Sequence, residues 1–201
     1  MNLNEYQRLA QRTSATVGDD KVKNGCLGLI GESGEIVDIL KKYMFQSGEN
    51  PPFPKEKFIK EMGDVLWYVA ETVSGMGMDL RTALDKSDEL VFQKPITLEE
   101  CGVLLCSVAT SAYVRCYVDK NYEIAVHEIC YIYATLLEMC KKIDTTIDEV
   151  ADTNIEKLKK RYPDGFDPER SIHRPEYQHQ EPKNVSESAS EHLFEMRNKT
   201  V

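Results

Sequence analysis

Two short acidic pairs carry most of the chemistry open to this chain. Glu32 and Glu35 stand three residues apart in "LGLIGESGEIVDIL", and Glu61 and Asp64 repeat the spacing in "FIKEMGDVLWYVAETV". At about 100° per residue, helical positions i and i+3 share a face, so each pair aims its carboxylates one way. That face is apolar in both segments. Gly25, Gly28, Leu29, Ile36, Ile39 and Tyr43 share the sector of the first pair, and Phe58, Val65, Tyr68, Val69 and Met76 that of the second. Acids set among residues that want burial must protonate, repel one another or meet a cation. A hard divalent ion answers this need, and Mg²⁺ in particular keeps waters and is completed by substrate phosphates. Lys or Arg partners are the competing answer, with Lys42 as a candidate on the face of Glu35. For either pair alone, a solvated acidic stripe is the plain alternative. A di-iron bundle would use Glu-x-x-His, and His127, in the helical part of the chain, has Ile124 at the required position.

The elements that must position these acids are helices. Helical periodicity runs from end to end, and the alternating β-branched and aromatic runs of strands are missing. We expect an all-α helical bundle with helices over residues 3–16, 22–45, 55–76, 79–92, 97–118, 121–142 and 146–161. "SGENPPFP", "QKPIT" and "RYPDGFDPE" break the pattern, because proline removes a donor and restricts its predecessor. The sequence from about Ser171 onward is polar and nearly coreless, which predicts a mobile tail over 171–201 with at most a docking turn at "EHLFEM".

The chain has 201 residues and a net charge of −9, with an isoelectric point near 5.0. That length supports its own core. The negative balance argues against a protein that grips nucleic acid by phosphate neutralisation. No apolar run approaches the ~20 residues of a membrane span, and the six cysteines show no CxxC spacing. A cytoplasmic protein with reduced thiols is the expectation.

Compared with itself, the chain repeats. Displaced by 67 residues, "FIKEMGDVLWYVAETV" lies over "AVHEICYIYATLLEMC", placing Glu61 on Glu128 and Glu71 on Glu138. Displaced by 74, the second helix lies over the fifth, placing Gly28 on Gly102, Ser33 on Ser107 and Tyr43 on Tyr117. An internal duplication is expected.

The segments "EYQRLAQRT", "GLIGESGEIVDILKK", "EMGDVLWYVA" and "NIEKLKKRYPDGF", in that order, resemble the MazG-like members of the all-α nucleoside triphosphate pyrophosphohydrolases, whose signature is ExxE, a spacer, then ExxD. The likeness covers residues 3 to about 80 and about 147 to 170. It implies hydrolysis of a nucleoside triphosphate between its α- and β-phosphates, releasing the monophosphate and pyrophosphate. It also implies that Glu32, Glu35, Glu61 and Asp64 hold Mg²⁺, for which Mn²⁺ can substitute, with Glu35 and Glu61 as candidates for orienting the attacking water. Asn154, Lys157 and Arg161, on one face of the last long helix, would contact phosphate or sugar, with Lys42 and Tyr68 also beside the substrate. Trp67 is assigned to packing.

Some 65 residues intervene where short relatives run directly on, and the duplication accounts for them. The live copy spans about 3–92 and the degenerate one about 97–158, in which Cys106, Ala109 and Tyr131 stand for Glu32, Glu35 and Asp64. A closing helix to about 161 completes a domain of residues 1–170. Family members pair subunits, so the two copies are expected to pair within one chain as a pseudo-dimer, on which a homodimer could be built. The rival expectation is a non-catalytic nucleotide-binding or helical interaction module on the same scaffold.

Overall fold

In the computed structural model, which describes residues 1–87, 90, 92 and 94–172, every regular element is a helix. They are α1 (Leu3–Gln11), α2 (Asp19–Phe45), α3 (Lys55–Gly75), α4 (Leu80–Ala83), α5 (Leu98–Tyr117), α6 (Tyr122–Lys142), α7 (Ile147–Arg161) and α8 (Pro168–Ile172). None is long and apolar enough to cross a membrane. Met1–Phe166 form one compact unit, and a second begins at Asp167. Of the second, α8 is described, its first turn capped by Asp167 Oδ1, which accepts from Glu169 N at 2.9 Å. The tail from 173 onward, including "EHLFEM", lies outside the described residues.

Local chemistry sets the boundaries. Thr97 and Glu100 cap α5 reciprocally, as Thr146 and Glu149 cap α7, each pair satisfying amides that a helix start leaves unbonded. Gly18 precedes α2 with φ 55° and ψ −137°, a conformation that favours glycine. Two expected helices are shorter than the periodicity suggests. The first ends at Gln11, because the Ala10 carbonyl accepts from the Thr13 hydroxyl at 2.7 Å and from Trp67 Nε1 at 3.2 Å. Among the described residues of the helix expected over 79–92, the α-helical part is Leu80–Ala83. Beyond it the amides of Asp85 and Ser87 bond three residues back, to Thr82 and Leu84, and the Ser87 hydroxyl also takes the Leu84 carbonyl.

The core is two helical hairpins laid together. Helices α2 and α3 run antiparallel at close range: a Cβ at Gly25 would meet Thr72 N at 2.8 Å, and one at Gly28 would overlap the Tyr68 ring. Helices α5 and α6 form the second hairpin, crossed by Ser111 Oγ to Glu128 Oε1 at 2.7 Å. The hairpins meet along α2 and α5, also antiparallel, where Val37 and Leu40 close over Gly102 and Cys26 touches Cys116. Leu29, Ile36, Phe58, Met62, Leu66, Leu105, Ile129 and Leu136 are buried within this packing. Each such side chain contributes about 1.5–3 kcal/mol by leaving water.

The buried positions of the two hairpins can be laid over one another. Phe58, Met62, Gly63, Val65, Leu66 and Val69 on α3 correspond to Ala125, Ile129, Cys130, Ile132, Tyr133 and Leu136 on α6, at the expected displacement of 67 (125 − 58). The other pair of helices corrects the expectation. Gly25, Cys26, Leu29 and Ser33 of α2 correspond in burial to Cys101, Gly102, Leu105 and Ala109 of α5, a displacement of 76 (101 − 25) and not 74. Glycine had drawn the match two residues out of phase, and Ser107, placed on buried Ser33, is exposed. In the packing register Val108 and Ser111 stand where Glu32 and Glu35 stand in the first hairpin.

Candidate metal centre

Glu32, Glu61 and Asp64 each offer one carboxylate oxygen to a group whose atoms lie within 4.8 Å of one another. The close approach of α2 to α3 at Gly25 and Gly28 makes this possible, since those glycines leave no side chain to hold the helices apart. Gly31 and Gly34, by contrast, face open space. Gly25 and Gly28 thus serve helix packing.

All three acids are half-buried. Burial, and then the charges of Asp64 and Glu61, push the Glu32 carboxyl up to about 7. Burial and Asp64 raise Glu61 as well, against the opposing pull of Lys157 and Lys57. Hard oxygen donors in a crowded, partly desolvated group suit a hard divalent cation, so the cluster can hold a metal ion.

Asp64 is the best supported of the three. Lys157 Nζ from α7 pairs with its Oδ2, and Asn154 Nδ2 donates to its Oδ1 at 3.1 Å. The Asn154 carbonyl oxygen in turn accepts from the buried Tyr6 hydroxyl at 2.9 Å. Burial holds that hydroxyl's pKa well above its usual value, which keeps it a donor. Asn154 packs directly over Gly63, 2.9 Å from where its Cβ would stand. Tyr6 of α1 is thus linked through Asn154 of α7 to Asp64 of α3.

The other expected residues fall in varied places. Glu35 is exposed and outside the group of three, although its charge adds to the rise at Glu32 and Glu61. Lys42 is exposed and pairs with Asp38, not with Glu32, Glu61 or Asp64. Asn154 is buried and uses both ends of its amide on protein groups, where a contact to phosphate or sugar was expected. Arg161 is half-buried in the last turn of α7. Tyr68 lies half-buried against Gly28 and edge-on to Trp67, with centroids 4.8 Å apart. Trp67 packs on the end of α1, donating to Thr13 Oγ1 at 3.0 Å.

Glu71 is the group that sequence reasoning left without a role. It is fully buried, two turns beyond Asp64. Its Oε1 accepts from Ser14 Oγ at 2.9 Å, from Thr16 Oγ1 and from Asn24 Nδ2 at 3.4 Å. Lys21 Nζ stands 3.5 Å from Oε2. The spacing Glu61, Asp64, Tyr68, Glu71 is one continuous helical stripe, a signal available in the sequence. Its partners were not, because Ser14 and Thr16 come from the α1–α2 connection that the residue itself ties down, and Lys21 and Asn24 from the start of α2. Glu71→Ala leaves Lys21 beside an emptied pocket. It should cost about 3 kcal/mol, seen as a fall in Tm of roughly 10 °C by circular dichroism. A change under about 2 °C would show the network to be dispensable.

No family model, curated protein or solved structure matches this chain.

Proposed function

We propose that this chain is a Mg²⁺-dependent nucleoside triphosphate pyrophosphohydrolase of the MazG-like kind, with Mn²⁺ able to substitute. The observation that carries the proposal is the meeting of Glu32, Glu61 and Asp64 from two i, i+3 acidic pairs, with Lys157 brought to their edge from a distant helix. Bound there, Mg²⁺ would offset the carboxylates and the charge on the substrate's phosphates. The chain's own residues divide the remaining work. Asn154 and Tyr6 hold Asp64 in place, and Lys157 supplies a mobile cation that can turn from Asp64 to a phosphate oxygen. Glu35, exposed at the rim, is free to accept a hydrogen bond from the attacking water.

We further infer that α5 and α6 are a degenerate copy of α2 and α3. The parallel burial patterns and the antiparallel meeting of α2 with α5 support this. In the second hairpin Glu128 is held by Ser111 and Arg115, while Val108 and Tyr131 stand at the positions of Glu32 and Asp64. One carboxylate is too few for the same site.

Incubation with a panel of nucleoside triphosphates and Mg²⁺, assayed for pyrophosphate and orthophosphate separately, tests the activity. Pyrophosphate with nucleoside monophosphate is expected; orthophosphate alone would place the cleavage at another bond. No release with binding retained would favour the non-catalytic module. In the same assay Glu128→Gln, which keeps an acceptor for Ser111, should leave the rate within about twofold. A loss as deep as that of a Glu61 variant would overturn the division into live and degenerate copies.

A further inference from the structure

Cys26 of α2 and Cys116 of α5 lie 90 positions apart in the chain, yet their sulfurs are 3.8 Å apart, with the Cys26 thiol donating to Cys116 Sγ. Both are buried, in a small cluster of their own with Val22 and Ala125, bordered by Met76, Tyr113 and Tyr117. This cluster closes one end of the α2–α5 contact, away from the acidic group. Nothing in the proposed reaction uses it.

We propose that Cys26 and Cys116 are a redox modification site, forming a reversible disulfide that staples α2 to α5 when a low-molecular-weight disulfide is present. Forming the bond closes the two sulfurs from 3.8 Å to about 2.0 Å. The order of events follows from exposure and hydrogen bonding. Cys116 retains slight exposure, whereas Cys26 has none. It lies in the last turn of α5, where helices fray, and as acceptor it is the sulfur better suited to carry negative charge.

The thiolate of Cys116 attacks one sulfur of the small disulfide, whose S–S bond breaks and expels a thiolate. Cys26, losing its proton, then attacks Cys116 Sγ in the mixed disulfide and expels the second small thiolate. Two protein thiols are oxidised, one small disulfide is reduced to two thiols, and the two protons released by the cysteines are taken up by the leaving thiolates. Dithiothreitol reverses the exchange.

The test uses the full chain, kept native in oxidised glutathione, alkylated and digested with trypsin without reduction. Cleavage places Cys26 in the peptide Asn24–Lys41 and Cys116 in Cys116–Lys120. The expected product is these two peptides joined, two hydrogens lighter than their sum, disappearing on reduction. Closing a loop of this length should raise Tm by roughly 10 °C. In Cys26→Ser the joined peptide should vanish and Cys116 should carry glutathione. Recovery of both wild-type cysteines as separately alkylated peptides would overturn the proposal, as would disulfides scattered among all six cysteines. Should the variant fail to fold, the wild-type peptide map decides alone.

Discussion

Asp64→Asn is expected to abolish pyrophosphate release, with a fall of more than about 100-fold, the upper end for groups that only support a metal ligand. The same variant should lose Mn²⁺ binding by calorimetry. Its fold should survive. Asparagine keeps an oxygen for the Asn154 amide that reaches Asp64 at 3.1 Å. What is lost is the pairing with Lys157, an ion pair whose side chains are each 21% exposed, worth about 1 kcal/mol. Removing one of three crowded charges offsets part of that, so Tm should move by no more than about 4 °C. Retained hydrolysis would remove Asp64 from the site. Retained hydrolysis with lost Mn²⁺ binding would show that the reaction does not depend on the ion.

The second large effect is on stability against pH. Burial and neighbouring acids raise Glu32 from an ordinary 4.5 to about 7. Between those values the unfolded chain has released the proton and the native protein still holds it, so stability falls as pH rises through this window and stays lower above it. Because Glu32 is only half-buried, solvent screening reduces the full effect, leaving a loss of about 2 kcal/mol. In buffer containing a chelator, wild-type Tm should drop by roughly 4–8 °C between pH 5 and 8. Glu61, raised in the same direction, adds to the slope. Glu32→Gln should match wild type near pH 5 and exceed it at pH 8. Adding Mg²⁺ should restore wild type at pH 8 and do little for the variant. A wild-type profile that is flat, or that rises with pH in chelator, would mean the carboxylates are not crowded as described.

The legible parts of the molecule were those set by short-range periodicity. Glu61 and Asp64 share a face because they are three residues apart on one helix, and nothing elsewhere in the chain alters that. The choice between Glu32 and Glu35 was not legible in this way. Both lie in the same broad sector, and it is the crossing point of α3, fixed by Gly25 and Gly28, that turns Glu32 inward and leaves Glu35 at the rim. Partners such as Tyr6 for Asn154, 148 positions away, leave no trace in local pattern. Tyr6 looks like any core residue of α1 until α7 is laid against it. The helix expected over 79–92 breaks after Ala83 for a related reason: an amphipathic run does not reveal that Ser87 will turn its hydroxyl to the Leu84 carbonyl.

The long reach of Lys157 to Asp64, 93 positions along the chain, bears on synthesis as well as on the finished molecule. At translation rates of 5–20 residues per second, roughly 5–20 s separate the emergence of the last acid from that of its lysine. Throughout that interval the nascent α2–α3 hairpin carries its carboxylates with neither Lys157 nor the Asn154–Tyr6 clasp. Of the two lysines whose charges oppose the rise at Glu61, the nascent hairpin contains Lys57 but not Lys157, so its acids are less compensated than in the finished protein.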